Sequence, residues 1–136
     1  MTKPLYVDMC EKSPMQLHWE PAYGNRAYDD EMEGSVIIID DGDLQDPKDA
    51  GGNPLIWLPR VEEYMDMVTL EKLSITDQLK FMDNAYIVDC MKEWTRRNNM
   101  KTMSTSDYWM LVWCLYIHYK KYCMTWFLED NRWGKA

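Results

Sequence analysis

The run WMLVWCLYIHY, from Trp109 to Tyr119, is the feature that most limits how this chain can fold. Its eleven residues include two tryptophans, two tyrosines and one histidine, and none is an acid, a lysine or an arginine. A segment this apolar crosses a membrane, fills a core or contacts another protein. A transmembrane helix needs about 20 mostly apolar residues, whereas the uncharged run from Tyr108 to Tyr119 has only twelve before Lys120. We therefore expect a core element and no contact with a membrane.

The residues around this run predict a long helix. Ser104 followed by Asp107 resembles an N-terminal capping box, with Asp in place of the usual Glu or Gln. The helix is expected from about Thr105 to Leu128. Nearly every side chain outside one narrow strip of this helix is apolar or aromatic, so most of its circumference must be covered. We expect it to be the central core element, and any aromatic face left uncovered would be a protein interface.

Two further helices are predicted before it. Pro59 suits the first position of a helix that runs to about Leu70, with acidic residues in its first turn. Ser74 and Asp77 repeat the capping pattern and open a second helix that ends near Asn98 and Asn99. Because the two long helices are joined by a short connection, they are expected to form an antiparallel hairpin.

Residues 1–58 contain most of the prolines and glycines, which break the chain into short pieces. Three brief runs between these breakers have the composition of strands: LYVDM (5–9), SVIIID (35–40) and LIWL (55–58). The sequence therefore predicts one domain over residues 1–136 of the α+β class, predominantly α-helical. Its C-terminal antiparallel helical hairpin and the shorter helix, in residues 59–136, would pack on a small irregular N-terminal sheet from residues 1–58.

Charge is distributed unevenly along the chain. Residues 1–66 carry 15 acids and 5 bases, whereas residues 67–136 carry 8 acids and 10 bases. Nine acids and one lysine lie between Asp29 and Asp49, so this segment alone matches the net charge of −8. Direct binding to nucleic acid is disfavoured, because a surface that follows phosphates needs clustered Lys and Arg.

A dense negative surface can steer a protein toward a basic groove, such as that of a nucleic-acid-binding enzyme. The function hypothesis is therefore a non-enzymatic protein-binding factor. Its small size, and not its charge, suggests a regulatory or inhibitory protein of a virus or mobile element. It would engage a basic site on a protein partner. The predicted partner-binding residues are Asp29, Asp30, Glu31, Glu33, Asp40, Asp41, Asp43, Asp46 and Asp49.

Two alternatives use the same features differently. Closely spaced carboxylates can hold Ca²⁺ or Mg²⁺, so the loop from Asp40 to Asp49 could belong to a metal-binding protein or a divalent-metal-dependent enzyme. Its spacing does not match an EF-hand, and a solvated turn is the favoured explanation. The apolar third helix instead suggests a structural subunit of a homo-oligomer.

The remaining reactive side chains give no catalytic assignment. Four cysteines without a C-x-x-C pair, and an N-terminal stretch without the apolar core of a secretion signal, predict free thiols in the cytoplasm. Cys90, Cys114 and His118 could approach one another in the helical hairpin as zinc ligands or as a nucleophile and base. Packed thiols with a hydrogen-bonded histidine are the simpler interpretation. His18 beside Glu20 suggests a proton shuttle or a loop cap, and no cofactor is expected.

Overall fold

The computed structural model describes residues 3–29, 35–40, 54–71 and 85–135. Within these ranges the chain forms an α+β architecture of four α-helices, a 3-10 helix and two small antiparallel sheets, and about half of the residues are helical. The elements are α1 (Leu5–Glu11), the 3-10 helix (Pro14–His18), β1 (Arg26–Asp29), β2 (Ser35–Ile38), β3 (Ile56–Trp57), α2 (Val61–Glu71), α3 (Ala85–Arg97), α4 (Thr105–Tyr122), β4 (Met124–Phe127) and β5 (Arg132–Lys135).

The first sheet has the strand order β2-β1-β3. Both neighbours of β1 are antiparallel, with Ala27 opposite Ile37 on one side and opposite Trp57 on the other. The predicted strands SVIIID and LIWL are thus confirmed as the positions of β2 and β3. One face of the sheet buries a small cluster that includes Ala27, Ile39 and Leu55.

The prediction of a strand at LYVDM is wrong, because these residues begin α1. The strand propensity of these residues is outweighed by their packing in the core, since every residue from Leu5 to Cys10 is buried. The helix starts after Pro4, whose carbonyl accepts the first intrahelical bond from Asp8 N at 3.2 Å. Strand β1 was not predicted, because RAYD contains a single strong strand former, Tyr28.

Helix boundaries marked by local chemistry agree with the sequence. Helix α2 begins at Val61, close to the predicted Pro59, and the Glu63 carboxylate accepts a bond from Arg60 N at 3.2 Å. Helix α3 ends before Asn99, which has the positive φ of a helix terminus. The predicted cap at Ser74 and Asp77 lies outside the described residues. The antiparallel pairing of α3 with α4 stays a prediction.

Helix α4 starts as expected, with Ser104 Oγ accepting from Asp107 N at 3.1 Å. Its predicted end at Leu128 is wrong, because Cys123 adopts a left-handed conformation and the chain turns into β4. Strands β4 and β5 form a hairpin in which Trp126 lies opposite Trp133, with ring centroids 5.2 Å apart. Burial of this aromatic pair outweighs the helical pattern that continues through residues 124–128.

Helix α4 lies at the centre of the core, as predicted. Every residue from Leu111 to His118 is buried, and the helix packs against α2, α3 and β4. Among the described residues, no helix combines the length and the hydropathy that a membrane crossing requires. Packing within the chain covers Leu111 to His118, whereas Trp109 and Tyr119 at the two ends of the run are 37% and 45% exposed.

Candidate functional site

The structure describes two of the nine predicted acidic partner-binding residues. Asp29, at the end of β1, is 6% exposed, whereas Asp40, which follows β2, is exposed. The structure therefore places Asp40 on the surface and Asp29 in the interior. The other seven, Asp30, Glu31, Glu33, Asp41, Asp43, Asp46 and Asp49, lie outside the described residues. The metal-binding prediction concerns the loop from Asp40 to Asp49. Only Asp40 of this loop is described, so metal binding stays a prediction.

Strand β2 forms one edge of its sheet in the part of the chain that the structure describes. Its inner side pairs with β1, and this pairing continues beyond the strand, where Ile39 N donates to Asn25 O at 2.9 Å. An edge strand presents backbone N–H and C=O groups that a further strand can bind. The edge of β2 is thus chemically suited to pairing with an added strand.

Two aliphatic side chains on β2 are exposed to solvent. Val36 is 55% exposed and Ile38 is 54% exposed, whereas Ile37 between them packs against the small buried cluster. Side chains alternate between the faces of a strand, so Val36 and Ile38 share one face. They lie opposite Tyr28 and Arg26 of β1. We use the name β2 edge for the backbone side of β2 that faces away from β1, together with the side chains of Val36, Ile38 and the adjacent Asp40.

The β2 edge lies within the most acidic part of the chain. Acidic residues 29–33 precede β2, and the acids from Asp40 to Asp49 follow it. Composition reveals this charge, but it does not reveal that Val36 and Ile38 are exposed. Every residue from Val36 to Ile39 is aliphatic, so the sequence carries no polar alternation to mark the uncovered face.

The predicted pair of Cys114 and His118 forms a closed hydrogen-bonded group in the core. His118 is 1% exposed, and its Nδ1 lies 2.7 Å from Cys114 O and 3.8 Å from Cys114 Sγ. Because a carbonyl oxygen can only accept, Nδ1 carries the proton and Nε2 accepts from Ser13 Oγ, 2.6 Å away. The imidazole also stacks on Trp133, with centroids 3.8 Å apart. Burial lowers the pKa of His118 to about 4.

The nearby thiols are also in their neutral form. Burial raises the pKa of Cys90 and of Cys114 to about 12, and burial raises the pKa of Cys10 well above its usual value. A thiol with so high a pKa is neither a nucleophile nor a ready metal ligand near neutral pH. In residues 3–29, 35–40, 54–71 and 85–135, no three His, Cys, Asp or Glu side chains are grouped to hold a metal ion. The trio is thus best explained as core packing.

His18 and Glu20 are both exposed, with His18 at the end of the 3-10 helix. Within the described residues no hydrogen bond or ion pair joins His18 to Glu20, and none positions His18 as a proton shuttle.

Comparisons with known proteins find no protein-family model, no curated protein and no solved structure that matches this chain. Function is therefore inferred from the geometry and charge of the chain itself.

Proposed function

We propose that this protein is a non-enzymatic protein-binding factor whose β2 edge pairs with an extended basic segment of a partner protein. The observation that carries this proposal is the exposure of Val36 and Ile38 on an edge strand. Main-chain hydrogen bonds along such an edge give affinity, and side chains on alternate positions give specificity. An aliphatic pair flanked by acids selects a segment in which apolar residues alternate with Lys or Arg.

The charge of the surrounding segment supports a basic partner. Nine of the 23 acids of the chain lie between Asp29 and Asp49, and Asp40 is exposed two residues beyond Ile38. A segment with this much negative charge accelerates encounter with a positive surface and repels nucleic acid. A basic groove of a nucleic-acid-binding enzyme is a suitable partner, and its occupation would make this protein a cytoplasmic inhibitor of the kind that viruses and mobile elements encode.

The proposal is tested with a short synthetic peptide in which Lys and Val alternate, titrated against the full chain by fluorescence anisotropy. The double variant Val36→Thr/Ile38→Thr keeps strand-forming side chains but removes apolar contact. It is expected to weaken binding about tenfold or more. Asp40→Asn removes one surface charge and is expected to weaken binding about two- to fivefold at low salt.

The matched control is Leu17→Thr, because Leu17 is 86% exposed and belongs to the 3-10 helix, not to β2. It should leave peptide affinity unchanged, and thermal unfolding of each variant shows whether the fold is retained. A peptide in which Glu and Val alternate should bind far more weakly than the Lys peptide. Equal binding of the two peptides, or equal affinities of the double variant and the wild type, would refute the proposal.

A further inference from the structure

A cleft of about 360 Å³ opens where the first turns of α2 and α4 meet β1. A cleft of this volume can hold a small organic molecule. The lining includes Arg26 from β1, Arg60 and Glu62 at the start of α2, and Asp107, Trp109 and Met110 from the first turns of α4.

The two guanidinium groups of this cleft are held in place by neutral acceptors. Arg26 lies 3.5 Å from each of the carbonyls of Leu58 and Pro59, and its Nη2 is 3.0 Å from Met110 Sδ. Arg60 Nη1 donates to Gly24 O at 2.6 Å. Across the ranges that the structure describes, neither arginine forms a salt bridge to a carboxylate.

Among the described residues neither guanidinium has a carboxylate within salt-bridge distance, so its remaining N–H donors can bind an anion from outside. Removing a charge from water costs free energy that a matching opposite charge offsets. The planar guanidinium fork matches a carboxylate or phosphate with two parallel hydrogen bonds. Because backbone carbonyls already fix one side of each group, the remaining N–H donors are oriented before a ligand arrives.

The other lining residues narrow the class of ligand. Glu62 and Asp107 balance the charge of the two arginines and make the lining formally neutral, so an anion with a single charge is favoured over a polyanion. Trp109 is 37% exposed and Met110 is half-buried, so the cleft also offers apolar and aromatic surface. A monovalent carboxylate attached to an aromatic ring meets both requirements, whereas a phosphate ester carries more charge.

We propose that this cleft binds a small aromatic carboxylate, with the carboxylate between Arg26 and Arg60 and the ring against Trp109. The cleft is a different site from the β2 edge, although Arg26 lies opposite Ile38, so carboxylate binding and peptide binding are each measured on the wild type.

The test is isothermal titration of the full chain with indole-3-acetate, alongside its neutral isostere indole-3-acetamide and the dianion phenyl phosphate. Indole-3-acetate is expected to bind about tenfold or more tightly than either of the others. Arg60→Gln is expected to lower its affinity about tenfold, and Trp109→Ala should lower the affinity for the acetate and the amide alike.

Arg132→Gln is the matched control, since Arg132 is a surface arginine of β5 with 58% of its side chain exposed. This variant should bind indole-3-acetate as the wild type does. Thermal unfolding confirms that Arg60→Gln remains folded before its affinity is compared. The proposal is overturned if no probe binds, if the acetate and the amide bind equally, if phenyl phosphate binds most tightly, or if Arg60→Gln matches the wild type.

Discussion

His118 is a titratable side chain that the core holds in its neutral form. Both ring nitrogens have hydrogen-bond partners, Cys114 O and Ser13 Oγ, and Trp133 covers one face of the ring. Ser13 Oγ in turn accepts from Met15 N at 3.0 Å, so the group is satisfied without solvent. The same histidine that suggests catalysis in the sequence thus joins the 3-10 helix, α4 and β5.

This environment predicts how stability depends on pH. The pKa of His118 is about 4 in the folded protein and 6.5 in its unperturbed state, so the unfolded chain binds the proton first as the pH falls. The stabilising contribution is present above pH 6.5 and is lost progressively as the pH falls toward 4, by about 3 kcal/mol in total. Urea unfolding of the wild type and His118→Gln across this range measures the effect.

His118→Gln is expected to be less stable at neutral pH, because it loses the stacking on Trp133, but to lose less stability on acidification. Carboxylates titrate in both proteins, so the difference between the two curves isolates His118. Parallel curves between pH 7 and pH 4 would show that His118 protonates equally in the folded and unfolded states.

Three elements far apart in sequence are joined by one buried ion pair. Arg97 at the end of α3 donates from Nη1 to Asp8 Oδ2 of α1 at 2.6 Å, and these side chains are 7% and 10% exposed. Asn131, in the turn between β4 and β5, accepts from Arg97 Nη2 and donates to Asp8 Oδ2 at 3.2 Å. The sequence suggests only a cluster of basic residues near the end of a helix.

Arg97→Met is expected to cost about 3 kcal/mol or more of unfolding free energy, because it leaves the Asp8 carboxylate buried without its partner. The matched control is Arg96→Met. Arg96 has 70% of its side chain exposed and pairs with Glu93 at the surface, so its loss should cost far less than the loss of Arg97. Chemical denaturation compares the free energies of unfolding of the two variants. Equal losses of this free energy would show that the buried ion pair stabilises the fold no more than the exposed one.

Local chemistry made part of the fold predictable. Caps and left-handed residues near Ser104 and Asn99 mark helix ends, because they depend on neighbouring backbone alone. Contacts with distant residues make LYVDM helical and turn the chain into a strand after Cys123. The local sequence pattern carries no information about such contacts. The acidic part of the candidate site is evident from composition, whereas the exposure of Val36 and Ile38 depends on which face of the sheet is covered.

At the scale of the whole molecule, the core determines which thiols react. Cys10, Cys90 and Cys114 are buried, whereas Cys123 is exposed at the end of α4. Three of the four cysteines therefore behave as small apolar side chains, in agreement with the expected free thiols.

A disulfide reagent such as Ellman's reagent is expected to modify one thiol rapidly in the native protein and all four after denaturation. Cys123→Ser should abolish the rapid phase, because burial both shields the other thiols and keeps them protonated. Absorbance of the released thiolate measures both phases. A rapid phase that persists in Cys123→Ser would mean that the core opens readily.

The bond from the Trp133 indole to Met9 O joins residues 124 positions apart. A ribosome adds about 5–20 residues per second, so Met9 is synthesised roughly 6–25 s before Trp133. Throughout that interval the nascent chain lacks the hairpin that covers His118 and the end of α4. The core therefore cannot be completed before Trp133 is synthesised, and until then the apolar side chains at the end of α4 lack the cover that this hairpin provides.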